Sequence, residues 1–360
     1  MNKSQNKNEN ENENENDINE SINNNTNNMY KVVLKDIAAR TGYTINTVSR
    51  ALKDKDDISA TTKILIQDTA KKMGYINNSI AGALRSGSTK TIAVILGDIS
   101  NPHFAIVVKE IESSARNHKY NTIILNTDEN PEIEEQAIYS ALSKKVDGII
   151  ICPTQKNDAN INFLQKAGVP FVLIGRYFPN IQTDYVVCDD PKGGYLATKH
   201  LVNCGHRKIL FLNGPAYISS AIERLEGYKK ALAESGIGFD KNLVKEITLV
   251  SGNCRHIVKR LLGQKVHFTA IFAFSDMIAW EAIYAIQRSG YRVPEDIAVV
   301  GFDNIQSKYL LPFPLTSIGV SKTNMSKEAF EVLLRRMNPS CSSEYIQTTV
   351  DTQLVLRKST

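Results

Sequence analysis

Hydrophobic and polar positions divide the chain into three stretches. Residues 1–29 carry almost no apolar side chains, and Asn alternates with Glu from Glu9 to Glu15. Such a stretch buries too little apolar surface to offset the entropy of ordering, so the sequence predicts a disordered tail. A role in partner binding or self-association is the alternative interpretation. Residues 30–90 show short helical periodicity. From Thr91 onward, apolar runs of strand length alternate with helical stretches.

The short helical periodicity predicts a three-helix unit over residues 30–77. Its central sequence, KDIAARTGYTINTVSRAL, spans residues 35–52 and contains two short helices with a turn between them. Gly42 can adopt the left-handed conformation that ends the first helix. The Thr44 hydroxyl can cap the second. A third helix is expected to begin after Ser59.

The second of these helices has two distinct faces. Val48 and Leu52 lie four residues apart and are predicted to point inward. The other face carries Ile45, Asn46, Ser49 and Arg50. A short helix that presents Asn and Arg fits the major groove of DNA. A generic helical hairpin with a polar outer face is the alternative interpretation.

The positive charge of the chain is concentrated next to this helix. The whole chain has a formal net charge of +5, but residues 30–90 alone contain 11 Lys or Arg and 5 Asp. This excess indicates a phosphate-binding surface, although a solvated basic face would look the same. The connector at residues 78–90 is small-residue-rich, and its Leu84 could be a minor-groove wedge or could pack on the following domain.

The remaining sequence predicts parallel β-sheets covered by helices. Seven apolar runs are strand candidates: TIAVILGD, NTIILNTD, VDGIIICP, PFVLIGRY, KILFLNG, TAIFAFSD and IAVVGFD. Continuous apolar runs are typical of strands buried on both faces. About 270 residues suit two doubly wound subdomains. Polar residues follow the strands and predict a polar cleft: Asp98, Asp128, Arg176, Asp190, Ser275, Asp276 and Asp303.

Composition and motifs narrow the function. Five scattered Cys without a C-x-x-C pair indicate reduced, mostly structural thiols, and no metal site or cofactor is expected. No apolar run reaches membrane-spanning length and no signal sequence is recognisable, so we expect a soluble cytoplasmic protein. The chain contains no G-x-S-x-G, Walker or G-x-G-x-x-G motif, which argues against an enzyme.

A series of sequence motifs along the chain, taken in order, resembles the lac repressor family of bacterial transcription regulators. The resemblance covers residues 33–358 and rests on KDIAARTGY, NTVSRAL, MGYINNSIAGALRSG, TKTIAVILGDISNPHF, VDGIIICP, GYLATKHLVNCGHRKILFLNG, ERLEGYKKALAESGI, PEDIAVVGFDN and PLTSI. It implies an α/β protein with a helix-turn-helix headpiece, a hinge helix and a core similar to periplasmic binding proteins. The core would consist of two doubly wound parallel-sheet subdomains.

The resemblance also implies a division of the chain. The expected parts are a tail at 1–29, a headpiece at 30–77, a hinge at 78–90 and a core at 91–360. Within the core, the first subdomain would comprise residues 91–189 and 319–339. The second would comprise residues 190–318 and 340–360.

The family's DNA contacts fall on matching positions. By resemblance, Ile45, Asn46 and Arg50 would meet base edges, while Thr44, Thr47 and Ser49 would contact phosphates. The hinge residues Ala81, Leu84 and Arg85 would lie at the minor groove. Val33 departs from the family pattern, which usually has a capping Thr there.

By the same resemblance, the effector site would be formed by Asn101, His103, Phe104, Arg176, Ser220, Arg224, Phe274, Ser275 and Asp303. Ser275 replaces a more usual Asn. Ile218 stands where the purine repressor has an effector-binding arginine, which argues against a purine corepressor. Donors opposite a carboxylate favour a sugar or sugar derivative.

Together these features predict a repressor that binds a pseudo-palindromic operator in double-stranded DNA as a homodimer. A small molecule would modulate its operator affinity. The C-terminal TTVDTQLVLRKST is expected to form one last strand and lacks the leucine heptads of a tetramer. A protein coeffector, as in catabolite control proteins, stays open. A solute receptor for a transporter is the other alternative, but residues 1–90 show neither an export signal nor a lipidation Cys.

Overall fold

The computed structural model describes residues 32–76, 87–248, 253–307, 313–338, 340 and 344–360. Contacts divide the chain into two compact units, Met1–Gly82 and Ala83–Thr360. The predicted tail and the predicted hinge residues Ala81, Leu84 and Arg85 lie outside the described residues.

The first unit contains the three predicted helices, α1 (Leu34–Thr41), α2 (Ile45–Leu52) and α3 (Ala60–Lys72). Their caps agree with the sequence: Gly42 has φ 77°, and the Thr44 and Ser59 hydroxyls accept backbone N–H groups at 3.1 and 3.3 Å. A small apolar core holds the helices together and consists of Ile37, Ala38, Val48, Ala51, Ile66 and Ala70.

Helix α1 begins without the usual side-chain cap. Val33 occupies the N-cap position and has no side-chain oxygen that could accept a backbone N–H. Instead, the Asp36 carboxylate accepts the Val33 N–H at 2.8 Å. Half of a capping box therefore remains, and an acid lies in the first turn, where the helix dipole favours negative charge.

The second unit contains two six-stranded sheets. The first has the order β11-β5-β4-β3-β1-β2, and all of its pairings are parallel. Its strands are β1 (Thr91–Leu96), β2 (Asn121–Asn126), β3 (Gly148–Ile151), β4 (Phe171–Ile174), β5 (Tyr185–Cys188) and β11 (Gln347–Val350). The helices are α4 (Pro102–Asn117), α5 (Pro131–Ser143), α6 (Ala159–Ala167) and α11 (Lys322–Arg336).

Helices cover both faces of this sheet, as continuous apolar strands require. Along β1, Ile92 and Val94 belong to one buried cluster, whereas Ala93 and Ile95 belong to another. The alternation places successive side chains on opposite faces. The start of β1 is tied to the loop before β3, because the Asp147 carboxylate accepts the backbone N–H groups of Thr89 and Lys90 at 2.8 and 3.0 Å.

The second sheet repeats the arrangement in the order β12-β10-β9-β8-β6-β7, with only β10 and β12 antiparallel. Its strands are β6 (Ile209–Asn213), β7 (Val244–Glu246), β8 (Ala270–Ala273), β9 (Ala298–Asp303), β10 (Thr316–Val320) and β12 (Thr352–Val355). Its helices are α7 (Asp190–Asn203), α8 (Ser219–Glu234), α9 (Asn253–Gly263) and α10 (Asp276–Arg288). The two doubly wound sheets confirm the predicted fold class.

The C-terminal segment differs from its prediction. We expected one last strand within the second subdomain, but the segment forms two strands that belong to different sheets. β11 pairs with β5 in the first sheet, and β12 pairs with β10 in the second. The change of sheet occurs at Asp351, so residues 347–350 pair with the first sheet and not with the second.

Candidate ligand and DNA-binding sites

A cavity of about 160 Å³ opens between the carboxyl ends of the two sheets. In doubly wound sheets ligands bind at this edge, beside the strands where the winding reverses. The cavity lining includes all nine residues that the sequence suggested: Asn101, His103, Phe104, Arg176, Ser220, Arg224, Phe274, Ser275 and Asp303. The fold therefore brings together residues that lie up to about 200 positions apart in the chain.

Arg224 projects from the first turns of α8 and is almost fully buried. Its Nε donates to Asp190 Oδ1 at 2.6 Å, and its Nη1 donates to the Phe274 carbonyl oxygen. The guanidinium carbon also lies 3.5 Å from the centre of the Phe302 ring and 4.4 Å from that of Phe274. Two aromatic faces and a carboxylate thus fix the orientation of the guanidinium.

Arg176, two residues beyond β4, is held just as firmly. Its two terminal nitrogens each donate to a different Glu129 oxygen at 2.8 Å, and Nη1 also donates to the Pro153 carbonyl at 2.9 Å. The bidentate pair neutralises the guanidinium. Gly97 makes room for it, because a Cβ at that position would overlap the Glu129 carboxylate.

Asp303 and His103 contact each other in the cavity wall. Oδ1 of Asp303 lies 3.3 Å from Nδ1 of His103. Burial lowers the pKa of His103 well below its usual value, and the neighbouring Lys322 charge lowers it further, so the imidazole is neutral. His103 Nδ1 has no well-aligned hydrogen-bond partner within the described part of the chain.

Two of the predicted residues also have local structural roles. Asn101 caps α4 by accepting the His103 N–H at 3.0 Å, and Ser275 caps α10 by accepting the Ile278 N–H at 3.3 Å. Ser275 thus fills the capping role at its position. Its O–H group can still donate into the cavity.

Behind the cavity, Asp276 organises the turn that carries Asp303. Its two oxygens accept the Ser317 hydroxyl at 2.6 Å and the Ile305 N–H at 2.7 Å. Burial and the Asp303 charge raise the pKa of Asp276, and burial raises the pKa of Asp303. Asp303 itself adopts φ 105°, and the Lys322 ammonium donates to its carbonyl oxygen.

A second set of contacts joins the two sheet regions beside the cavity. Gln155 Oε1 accepts the Ser219 N–H at 3.0 Å, and the Tyr177 hydroxyl donates to Glu223 Oε1 at 2.5 Å. Burial raises the pKa of Glu223 to about 7, despite the opposing effect of the Tyr177 hydrogen bond. No motif or periodicity indicates these contacts, since each joins polar residues far apart in the chain.

Three thiols also line the cavity: Cys152, Cys188 and Cys254. Burial raises the pKa of each, to about 12 for Cys152 and Cys254. They are therefore neutral, unreactive groups that contribute apolar surface. No cluster of three or more metal-ligating side chains occurs among the described residues.

The predicted DNA-binding residues form the outer surface of α2. Ile45, Asn46 and Arg50 are exposed, whereas Val48 and Ala51 on the opposite face are fully buried. Of the predicted phosphate contacts, Thr44 is exposed, and Thr47 and Ser49 are half-buried. Nη2 of Arg50 lies 2.6 Å from Asp57 Oδ2, a partner that the sequence does not reveal.

Comparison with known proteins agrees with this arrangement of parts. Residues 89–352 match the model for periplasmic binding proteins and the sugar binding domain of the LacI family, and residues 33–78 match that for bacterial regulatory proteins of the lacI family. The chain belongs to the LacI family. As a member, it is a transcriptional regulator with a DNA-binding headpiece and an effector-binding core.

Relatives of established identity span nearly the whole chain. The repressor PurR of Photobacterium profundum is 31% identical over 328 residues, which cover 91% of this chain and 98% of PurR. The ribose operon repressor of Haemophilus influenzae is 32% identical over 329 residues, with the same coverage of 91% and 98%.

Solved LacI-family structures also superpose on it. The lac repressor dimer bound to operator and the anti-inducer ONPF has a TM-score of 0.80 at 25% identity and covers 91% of this chain and 99% of its own. The CelR–cellobiose complex has a TM-score of 0.70 at 28% identity and covers 92% and 100%. In the described part of the chain, no helix has the length and apolarity needed to cross a bilayer.

Proposed function

We propose that this protein is a cytoplasmic homodimeric repressor whose affinity for a pseudo-palindromic operator is set by an uncharged, sugar-like ligand in the core cavity. It would act by binding alone, without catalysis. The observation that carries the proposal is the convergence of all nine expected ligand residues on one cavity between two sheets. The protein would consist of the headpiece, the hinge and the two core subdomains, and residues 347–350 would belong to the first subdomain.

The charges of the cavity favour an uncharged ligand. Four carboxyl groups line it, from Asp98, Glu129, Glu281 and Asp303, against two guanidinium groups. Both guanidinium groups already have carboxylate partners, at 2.6 Å for Arg224 and 2.8 Å for Arg176. A phosphate or carboxylate ligand would be repelled by these carboxylates unless it displaced one of them, which would leave a buried unpaired charge. Hydroxyl groups can instead add to the unused donors and acceptors.

Ile218 supports the same ligand class. Its side chain is fully buried in the apolar core of the second subdomain, and it offers no donor to a ligand. This chain therefore lacks the effector-binding arginine that the purine repressor has at this position. We infer that the ligand differs from a purine.

Ligand binding would be coupled to DNA binding through closure of the cleft. A ligand in the cavity would contact both subdomains, for example at Asn101 and Asp303, and would bind best to one relative arrangement of them. Such differential affinity shifts the population between two states. Couplings of about 1–3 kcal/mol are typical and correspond to roughly 5–150-fold in operator affinity.

The test of the ligand site is a screen of neutral sugars, sugar phosphates and purines for a change in operator binding by the full-length protein. We expect a neutral sugar to act, and Arg224→Ala to lose the response while it still binds operator. Because Arg224→Ala leaves Asp190 unpaired, Arg224→Lys serves as a second variant that keeps the charge but loses the planar fork.

Arg292→Ala is the matched control, since Arg292 forms an exposed pair with Asp296 outside the cavity. It should respond as the wild-type protein does. A normal sugar response in both Arg224 variants would remove Arg224 from the ligand site. A response to sugar phosphates alone would contradict the uncharged ligand.

A further inference from the structure

The ion pair between Arg50 and Asp57 joins the proposed base-reading arginine to the loop after its helix. The two atoms Nη2 and Oδ2 lie 2.6 Å apart, and both side chains are about half exposed. The hydrogen bond from Arg50 is the main effect that lowers the pKa of Asp57, so the carboxyl group is ionised at neutral pH. The pair lies on the same surface as Asn46 and Ile45.

The loop that carries Asp57 is firmly attached to α2. The N–H groups of Lys53 and Lys55 both donate to the Arg50 carbonyl, at 3.2 and 3.1 Å, and the Ile58 N–H donates to the Lys55 carbonyl at 3.2 Å. The Ile58 side chain packs against the headpiece core. The backbone that carries Asp57 is therefore held close to the backbone of Arg50.

The pair leaves the guanidinium able to bind a base. A guanidinium has five N–H donors, and the ion pair with Asp57 is made through Nη2. Guanine is bound by two parallel donors to O6 and N7. One guanidinium can bind the carboxylate and the guanine together, because the contact with Asp57 through Nη2 leaves further N–H groups for the base.

We propose that Asp57 positions Arg50 for guanine and keeps it from binding phosphates nonspecifically. This inference rests on the proposed operator binding. A free arginine is attracted to any nearby phosphate, and such contacts give affinity without sequence preference. An adjacent carboxylate repels phosphates but does not repel the neutral acceptors of guanine. Asp57 would thus raise the ratio of specific to nonspecific binding.

The chain offers a matched control in the neighbouring acid. Asp56 carries the same charge one residue away, and it forms no ion pair within the part of the headpiece that the structure describes. Asp54 is unsuitable because it lies 2.9 Å from the Lys63 ammonium. Asp57→Asn and Asp56→Asn therefore change the net charge equally, and only the first removes the partner of Arg50.

The experiment uses the full-length protein and the duplex that it selects from a random pool. Affinity is measured for this duplex and for a version in which the guanine opposite Arg50 is replaced by adenine. We expect Asp57→Asn to lose most of the discrimination between the two duplexes, by about fivefold or more if Arg50 forms one bidentate pair. Asp56→Asn should keep the wild-type ratio, although both variants bind bulk DNA more tightly.

Two further measurements separate positioning from folding. Thermal unfolding of the headpiece should be the same in both variants. In an Arg50→Ala background, Asp57→Asn should have no further effect on discrimination. Equal discrimination in the Asp56 and Asp57 variants would overturn the inference, as would tighter binding by Asp57→Asn to every sequence with the ratio unchanged. If the wild-type protein selects no sequence at all, the failure lies with the proposed operator binding instead.

Discussion

At the scale of single residues, carboxylates from distant parts of the chain hold the two cavity arginines in place. Arg176 and Arg224 are predicted as ligand residues because their surrounding motifs match a known family. Their partners Glu129 and Asp190 lie 47 and 34 positions away. Asp190 is expected only as a polar residue after a strand, and no pattern singles out Glu129. A charge pair of this kind depends on which strands become neighbours, which local sequence does not specify.

The Glu223 carboxyl group gives a prediction about pH. Its pKa is raised from 4.5 to about 7, so the folded protein holds a proton that the unfolded chain releases between these two values. Stability from this group is therefore present below about pH 4.5 and is lost as pH rises toward 7. Relative to the wild-type protein, Glu223→Gln should become more stable as pH rises from 4.5 to 7.

Thermal unfolding of the core at several pH values measures this difference. Tyr195 and Glu234 form a similar but exposed pair, at 2.8 Å, so Glu234→Gln is the control for the loss of a Tyr–Glu hydrogen bond. A stability difference between Glu223→Gln and wild type that does not vary with pH would mean that the carboxyl group titrates normally.

At the scale of helices and strands, the sequence is informative where apolar side chains are continuous. All seven predicted strands are present, but β5, β7 and β10 were missed. β7 is a three-residue edge strand, VKE, with no buried residue. β10 has the sequence TSIGV, in which Thr, Ser and Gly interrupt the apolar pattern although every residue is buried. The burial of β10 therefore comes from tertiary packing and not from its composition.

The first helix of the headpiece gives a prediction at this scale. Val33→Thr should add the missing oxygen and complete the capping box with Asp36, which already accepts the Val33 N–H. We expect the headpiece to become more stable by about 0.5–2 kcal/mol. The new hydroxyl should also strengthen DNA binding to a similar degree on all sequences, as a phosphate contact would.

Chemical unfolding followed by a headpiece probe measures the first effect, and binding to unrelated duplexes measures the second. Val33→Ala is the control, since it removes the apolar side chain without adding an oxygen. An equal increase in headpiece stability in both variants would show that removal of the exposed valine side chain, and not capping, is responsible.

At the scale of the whole molecule, the order of parts is predictable, but the path of the chain between the sheets is not. The two doubly wound sheets and the cavity at their carboxyl ends follow from the alternation of strands and helices. The C-terminal segment contributes a strand to each sheet within nine residues, from Gln347 to Val355. No local pattern distinguishes two such strands from one, because Asp351 interrupts an otherwise regular extended sequence.

We propose that paired headpieces bind a particular DNA sequence under the control of a ligand in the core. The most direct measurement is selection of bound duplexes from a random pool by the full-length protein, with and without the neutral sugar found in the screen. We expect one pseudo-palindromic sequence to be enriched. The sugar should change the affinity for that sequence by roughly 5–150-fold. A pool that stays random at every salt concentration, with or without sugars, would contradict the account.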